Sequence, residues 1–380
     1  MLSLLIKPAS GMCNMRCKYC FYRDEIDYNK REQGESYSGI MSRKTAENLI
    51  KRTFEYSKRS VTFAFQGGEP TLAGVGWFRD FSDMVRKYNV NKINVNMAMQ
   101  TNGYALDDAF ISYLKSEKFL LGLSIDGDGD CHNMHRIDAS GKGTHVRIMA
   151  TGERLKKAGI DVNVLSVMTN ASARYVAKTY KYLTSRGYDW VQFISCLPPL
   201  MRDELNAKAD EMKMFSIAPD RWLKANKILF DLWYADFMAG NRVSVRHLDN
   251  YLMMFMGASP ESCDMVGKCS VQFVTESDGS VYPCDFYAIE KWKIGDINVD
   301  SIDAMAASAR AREFISQNRG TLSDEKCVSC KYVKLCRGGC PRLRENAERA
   351  YLLCPVIGEF FEYTGERFMK MAQAINRTRE

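Results

Sequence analysis

Along the first 200 residues, short apolar runs typical of strands alternate with longer stretches that have the apolar periodicity of amphipathic helices. Short runs of β-branched and other apolar residues predict strands at 2–7, 61–66, 93–100, 119–125, 162–168 and 190–194. Amphipathic stretches with helical periodicity separate these runs, for example at 42–57 and 146–157. Because strands and helices alternate, we predict repeated βα units with a parallel sheet, in an α/β fold that forms a partial (β/α)6 TIM-like barrel.

The rest of the chain shows two other patterns. Residues 201–256 are helical in pattern and rich in Met, Trp, Leu and Phe, which suits core packing better than cofactor binding. Beyond them cysteines become dense, and regular periodicity returns only at 356–376. A chain of 380 residues exceeds the usual size of one core. We therefore predict a barrel at 1–200, a helical bridging segment at 201–256, and a cysteine-rich domain with a C-terminal helix at 257–380.

Composition narrows the class of protein. Hydrophobic residues make up 46% and charged residues 26%, as in ordinary globular proteins. The net charge of +7 is spread without long runs of one sign, which predicts a solvated surface and no nucleic-acid partner. The chain shows no secretory leader and no long apolar window, so we expect a cytoplasmic protein without a membrane partner. In that setting thirteen cysteines favour metal or cluster ligation over disulfides.

Three cysteines follow the first predicted strand in a CxxxCxxC run: Cys13, Cys17 and Cys20. Three thiolates for the four irons of a [4Fe–4S] cluster leave one iron open to a substrate or cofactor, whereas ferredoxins normally fill that site with another Cys. A zinc site or three unrelated core thiols are the alternatives. Soft thiolates at this spacing, followed by aromatic residues, suit the cluster better.

This motif resembles that of the radical S-adenosylmethionine (SAM) superfamily. The resemblance implies a cluster at the open top of the barrel, with Tyr19, the residue before the third Cys, against the adenine of SAM. The segment QGGEP at 66–70 follows a predicted strand and is similar to the GGE element of the family. The backbone near Gly68 is then expected to hold the methionine amino group of SAM.

Three further positions are similar to SAM-binding positions of the superfamily. Ser124 and Arg136 match residues that bind the carboxylate and ribose of SAM, and Arg suits a carboxylate because its planar fork donates two parallel hydrogen bonds. Leu197 matches a backbone and apolar contact, although it is equally an ordinary residue at a strand end. The polar residues at 100–103 are expected to face the substrate or SAM.

Eight more cysteines lie between residues 263 and 354. Sequence spacing alone groups Cys327, Cys330, Cys336 and Cys340 together. The arrangement resembles the SPASM extension of radical SAM enzymes, which implies two auxiliary [4Fe–4S] clusters. By that resemblance the first is held by Cys263, Cys269, Cys284 and Cys340, and the second by Cys327, Cys330, Cys336 and Cys354. Two structural zinc sites are the alternative. The remaining Cys131 and Cys196 are expected to be small buried thiols.

The segments VYPCDFY, FAFQGGEPTLAG and RGGC, with the whole order of cysteines, resemble the anaerobic sulfatase-maturating enzymes over essentially the full chain. Such enzymes oxidise a Cys or Ser side chain of a sulfatase to Cα-formylglycine, after a 5′-deoxyadenosyl radical removes a hydrogen from the substrate Cβ. The resemblance implies that Asp285 is the base and that a ferredoxin or flavodoxin is the electron partner. Without it, an Asp beside a Cys ligand is more often a supporting or surface carboxylate.

Two other functions fit many of the same motifs. A SPASM enzyme that crosslinks or otherwise modifies a ribosomally made peptide shares nearly all of them, but such maturases often carry an N-terminal leader-binding domain, and here the cluster loop begins at residue 13. A non-enzymatic electron carrier with three clusters is disfavoured because the first site has only three thiolates.

Overall fold

The structure is a computed structural model that describes residues 2–23, 25, 39–200, 214–317, 325–344 and 351–377. Residues 201–213 of the predicted bridging segment lie outside the described residues. So do 318–324, 345–350 and 378–380 of the predicted cysteine-rich domain.

The described residues form ten short strands. They are β1 (Leu2–Ile6), β2 (Ser60–Phe65), β3 (Asn94–Thr101), β4 (Leu120–Ser124), β5 (Val162–Met168), β6 (Trp190–Ser195), β7 (Ser244–Val245), β8 (Val274–Thr275), β9 (Ser280–Tyr282) and β10 (Gly295–Asp296).

The helices of the described residues follow or separate these strands. They are α1 (Arg43–Tyr56), α2 (Gly74–Tyr88), α3 (Asp108–Ser116), α4 (Gly129–Asn133), α5 (His145–Lys157), α6 (Val176–Thr184), α7 (Pro219–Met238), α8 (Arg246–Phe255), α9 (Ile302–Ala306), α10 (Ala309–Gln317), α11 (Glu325–Val328), α12 (Val333–Cys336) and α13 (Cys354–Arg377). None of the helices within the described ranges is long and apolar enough to cross a membrane.

The chain divides into two compact units that each combine segments distant in sequence. The first comprises Met1–Ile125, Asn133–Val162 and Ser270–Gln317, and the second comprises Asp126–His132, Asn163–Cys269 and Asn318–Glu380. The domains predicted from the sequence, with boundaries at residues 200 and 256, divide the chain differently from these two compact units. The predicted domain boundaries stay a prediction.

The first unit contains the strands in the order β10-β9-β8-β1-β2-β3-β4. Strands β1 to β4 are parallel neighbours, β8 runs parallel to β1, and β9 and β10 continue antiparallel. The core includes Phe63, Phe65, Phe78 and Phe81, all at most 1% exposed. Phe65 packs edge-on against Phe78 and Phe81 with ring centroids 5.0 and 5.1 Å away. Because this core holds the parallel strands together, their carboxyl ends, where loops carry the candidate site, are fixed.

The second unit contains β5, β6 and β7 as parallel neighbours, with α7, α8 and α13. Helix α7 has apolar residues at helical spacing, and among its buried positions are Trp222, Phe230 and Trp233. Phe230 meets Phe368 of α13 with ring centroids 4.8 Å apart. The aromatic positions of the segment after residue 213 therefore pack a core, as predicted.

Hydrophobic periodicity located the regular elements well. All six predicted strands are present and begin and end within one residue of the predicted limits. The helix predicted at 42–57 is α1, which begins after the N-cap Ser42, whose hydroxyl accepts a hydrogen bond from the Thr45 N–H. The helix predicted at 356–376 is the longer α13. The alternation of strands and helices predicted for a (β/α)6 fold is confirmed.

Candidate functional site

The three-cysteine loop follows β1, and its backbone is held by the segment before α5. The N–H groups of Arg16 and Lys18 donate to the carbonyls of Ile137 and His135 at 2.8 and 3.0 Å. Cys13, Cys17 and Cys20 are all partly buried. Burial raises the pKa of Cys13 to about 11, and burial also raises the pKa of Cys20. Thiolates in such a place need nearby positive charge, which iron ions supply, so the donor set fits an iron–sulfur cluster.

The glycine pair of the GGE element lies against this loop. The Gly68 and Glu69 N–H groups donate to the carbonyls of Ser10 and Met12, both at 2.8 Å. A Cβ on Gly68 would lie 2.2 Å from the Met12 carbonyl oxygen, and Gly67 has φ +116°. Only glycine fits these two positions, because the loop backbone occupies the space of a side chain. The GGE element therefore supports the cluster loop.

The Glu69 side chain connects the GGE element to the end of β3. It is fully buried, and its Oε1 accepts hydrogen bonds from the Thr71 N–H, the Thr71 hydroxyl and the Thr101 hydroxyl at 3.1, 2.6 and 2.8 Å. Its Oε2 accepts from the Asn102 N–H at 2.8 Å. Burial raises the pKa of this carboxyl, while these hydrogen bonds act in the opposite direction. Sequence reasoning missed this role of Glu69.

Residues 100–103 contact the cluster loop and the end of β4. The Asn102 side-chain amide donates to the Asn14 side-chain oxygen at 2.8 Å and lies 3.6 Å from the Cys13 sulfur. The Gln100 amide donates to the Ser124 hydroxyl at 3.1 Å. The expectation that these amides face the substrate or SAM stays a prediction.

Four of the five residues predicted to bind SAM lie in the first unit, and Leu197 lies in the second. Arg136 is 5% exposed, and its guanidinium carbon lies 5.5 Å from the centre of the Tyr19 ring. The ring of Tyr19 also meets His135 edge-on. Tyr19 and Arg136 are thus adjacent and buried beside the cysteine loop, which suits a ligand with an aromatic base and a carboxylate. Their roles stay predictions.

Asp285 is buried within a cluster of charged and polar side chains in the first unit. Its Oδ2 accepts hydrogen bonds from the Tyr22 hydroxyl at 2.7 Å and the Gln66 amide at 2.9 Å. Its Oδ1 lies 3.2 Å from the Lys7 ammonium, which also contacts Glu276 at 2.9 Å and Glu25 at 3.7 Å. The residues contributed by the N-terminal strands, Lys7 and Gln66, were not singled out from the sequence for this role.

The protonation of this cluster follows from its charges. Burial lowers the pKa of Lys7, but the carboxylates of Glu276, Asp285 and Glu25 together raise it above its ordinary value. The pKa of Tyr22 is well above its ordinary value because of burial and the nearby Asp285 charge. Lys7 is therefore a cation and Tyr22 a hydrogen-bond donor at neutral pH.

Seven of the eight later cysteines belong to the second unit and fall into two neighbourhoods, whereas Cys284 belongs to the first unit. Burial raises the pKa of Cys336 to about 11, and the charges of Cys354, Cys327 and Cys330 raise it further. Burial raises the pKa of Cys340 to about 12, with contributions from Asp264, Cys269 and Cys263. The thiols near Cys340 are therefore different from those near Cys336. Spacing alone had placed these two cysteines in one group.

The two remaining thiols are buried. Cys131 is 1% exposed and Cys196 is 4% exposed, so the prediction that both are buried is confirmed. Throughout the described ranges, no three His, Cys, Asp or Glu side chains converge closely enough to hold a single metal ion.

Comparison with known proteins gives consistent matches. Residues 8–183 match the radical SAM superfamily, and residues 263–338 match the SPASM iron–sulfur cluster-binding domain. The cysteine-type anaerobic sulfatase-maturating enzyme of Clostridium perfringens is 40% identical over 98% of this chain and 99% of that protein. The serine-type enzyme of Bacteroides thetaiotaomicron is 25% identical over 90% of this chain and 83% of that protein. The solved structure of native anSMEcpe with bound AdoMet and Cp18Cys peptide has a TM-score of 0.89 and 39% identity, covering 98% of this chain and 99% of that one.

Proposed function

Because this chain belongs to the anaerobic sulfatase-maturating enzymes of the radical SAM superfamily, we propose that it oxidises a Cys side chain of a sulfatase peptide to Cα-formylglycine. The observation that carries this proposal is the buried Asp285, held by Lys7, Tyr22 and Gln66 in the same compact unit as the three-cysteine loop. The oxidation requires a proton acceptor and a radical source, together with an acceptor for one electron.

The cofactors are three [4Fe–4S] clusters and SAM. We propose that Cys13, Cys17 and Cys20 hold the first cluster, and that the two interlaced sets of four cysteines expected from the SPASM resemblance hold the others. When bound, these groups supply the 5′-deoxyadenosyl radical from SAM and take up the electron that the substrate releases. The two neighbourhoods of thiols around Cys340 and Cys336 support the interlaced sets.

The chain's own residues would orient SAM. We propose that Tyr19 lies against its adenine and that the backbone near Gly68 accepts its amino group. Ser124 and Arg136 would bind the carboxylate and ribose, and Leu197 would make an apolar contact. The buried guanidinium of Arg136 beside the Tyr19 ring supports this assignment, because a carboxylate pairs strongly with Arg away from water.

Asp285 would act as the base. The oxidation takes a hydrogen atom from the substrate Cβ, a proton from its thiol and one electron, which leaves a carbon–sulfur double bond. Asp285 would accept the proton, bound SAM would supply the radical that accepts the hydrogen atom, and a cluster would accept the electron. Water then replaces sulfur, so that the products are the aldehyde and hydrogen sulfide. The hydrogen bonds from Tyr22 and Gln66 hold the Asp285 carboxylate in place, which supports its assignment as the base.

Sequence identity and the number of cysteines support proposals for the substrate, the electron partner and the location. The higher identity to the cysteine-type relative, 40% against 25% for the serine-type relative, supports a Cys substrate. We propose that a ferredoxin or flavodoxin exchanges electrons with the clusters. A cytoplasmic location would keep the thirteen cysteines reduced and available as ligands.

The test is anaerobic reconstitution with iron, sulfide, SAM and dithionite. Release of 5′-deoxyadenosine is expected, and peptides containing C-x-P-x-R are expected to form the aldehyde faster than the matched S-x-P-x-R peptides. Aldehyde formation is measured by mass spectrometry after hydrazine trapping. Formation of 5′-deoxyadenosine without aldehyde from either peptide would contradict the proposed substrate and favour a crosslinking maturase.

A further inference from the structure

Lys7 is a buried cation that no step of the proposed reaction uses. Its side chain is 2% exposed and contacts three carboxylates from different parts of the chain: Glu25, Glu276 and Asp285. The ammonium also lies 4.7 Å from the centre of the Tyr22 ring. A surface lysine would avoid the cost of burial, so this placement calls for a reason.

Lys7 connects β1 to the hairpin that carries Asp285. Its backbone N–H donates to the Thr275 carbonyl at 2.8 Å, at the end of β8. The hairpin then runs through Glu276 and β9 to the short turn Asp285–Tyr287. The main chain of Lys7 thus holds the start of this hairpin at Thr275, and its side chain holds the end of the hairpin at Asp285.

The contact with Asp285 is specific to one carboxylate oxygen. Lys7 lies 3.2 Å from Oδ1, while Tyr22 and Gln66 occupy Oδ2. Attraction to Oδ1 on one side and two hydrogen bonds to Oδ2 on the other fix the rotation of the carboxylate about its Cβ–Cγ bond. Without Lys7, the contacts made by the described residues would hold only the Oδ2 side.

We propose that Lys7 is a positioning residue for Asp285, which holds the carboxylate in the orientation that receives the substrate thiol proton. This inference rests on the proposed function and deepens it. Replacing a whole buried ion pair by apolar residues is often neutral for stability, whereas removing one partner is destabilising, so the test needs a readout other than stability. Glu276 serves as a matched control, since its carboxylate is the closer partner of the Lys7 ammonium, at 2.9 Å against 3.2 Å for Asp285.

The experiment compares wild type, Lys7→Met and Glu276→Gln, each reconstituted with three clusters. Met matches the stem of Lys without its charge. Formylglycine and 5′-deoxyadenosine are quantified together from a C-x-P-x-R peptide. For Lys7→Met we expect 5′-deoxyadenosine to form at nearly the wild-type rate, the KM for peptide to be unchanged, and the ratio of formylglycine to 5′-deoxyadenosine to fall by roughly 10²-fold. Glu276→Gln is expected to keep the wild-type ratio.

A second variant and a structural readout guard against simple misfolding. Lys7→Arg keeps the cation, so its product ratio is expected to exceed that of Lys7→Met. A crystal structure of Lys7→Met is expected to show the Asp285 carboxylate rotated while the backbone of the hairpin stays in place. Iron content and circular dichroism are measured first, and loss of fold in both Lys7 variants would make Lys7 a purely structural residue and overturn the proposal.

The remaining outcomes are equally decisive. A wild-type ratio in Lys7→Met, equal ratios in Lys7→Met and Lys7→Arg, or an equal fall in Glu276→Gln would overturn the role of Lys7 and leave the proposed function intact. Absence of formylglycine from the wild-type enzyme would overturn both.

Discussion

Replacing Glu69 with Gln tests whether the GGE element supports the cluster loop through its buried carboxylate. The carboxylate accepts four hydrogen bonds, three at Oε1 and one at Oε2. A Gln side chain has one acceptor oxygen and one amide that only donates. When its oxygen takes the place of Oε1, its amide faces the Asn102 N–H, and two donors then meet without an acceptor.

The expected magnitude follows from that mismatch. A buried donor left without an acceptor costs about 1–3 kcal/mol, so Glu69→Gln should lower the free energy of unfolding by about this amount. Glu69→Ala removes all four acceptor contacts and should cost about 4 kcal/mol at roughly 1 kcal/mol per bond. The Asn102 side chain, which contacts Asn14 and the Cys13 sulfur, loses its anchor in both variants. Iron should therefore leave the three-cysteine site faster.

Anaerobic urea unfolding, followed by tryptophan fluorescence, measures the stability change at constant m. The rate of iron removal by a chelator measures the local effect. Glu153→Gln is the matched control, because Glu153 is 58% exposed and pairs with Lys156 at the surface, where loss of an ion pair costs at most about 1 kcal/mol. If Glu69→Gln unfolds and releases iron like Glu153→Gln, the support assigned to Glu69 is wrong.

Three further predictions concern other parts of the chain. Burial lowers the pKa of His247 from 6.5 to about 4, so between these pH values the unfolded chain binds a proton that the folded chain does not. The free energy of unfolding should therefore decrease as the pH is lowered, by at most about 3 kcal/mol through this group. Urea titrations at pH 7 and pH 4 should show a correspondingly smaller decrease for His247→Gln. Gly68→Ala should lose the three-cysteine cluster, measured by iron and sulfide content, because the new Cβ would overlap the Met12 carbonyl; normal iron content would contradict this packing. Cys354→Ala should lower total iron by about one third, whereas Cys131→Ala, which removes a buried thiol outside the proposed sets, should keep it.

Local patterns predicted the strands and the chemistry of single loops. The six strands follow from runs of apolar residues, because a strand buried in a parallel sheet needs little beyond local hydrophobicity to be seen. The three-cysteine loop was singled out by its spacing, its position after the first strand and the aromatic residues that follow it, and the assignment of its thiolates as cluster ligands stays a prediction. Burial of Cys131 was also predictable, because an isolated Cys behaves as a small apolar residue.

The charged cluster around Asp285 was not predictable from the same patterns. Lys7 and Gln66 both lie where parallel strands end, a position that commonly faces a ligand site, and this was the available signal for them. Glu276 carried no such signal. Its contact with Lys7 joins residues 269 positions apart, and it depends on β8 pairing with β1, which no local pattern indicates.

The interlaced auxiliary cysteines bear on how the chain can be assembled during synthesis. In the proposed sets, one cluster needs Cys340 and the other needs Cys354, the first residue of α13. The first site is complete only after Cys340 has left the ribosome and the second only after Cys354, and a chain that ends before Cys340 lacks ligands of both sites. We expect cluster insertion there to be a late step that follows folding of the C-terminal segment, so that chains that end before Cys340 would accumulate without auxiliary iron.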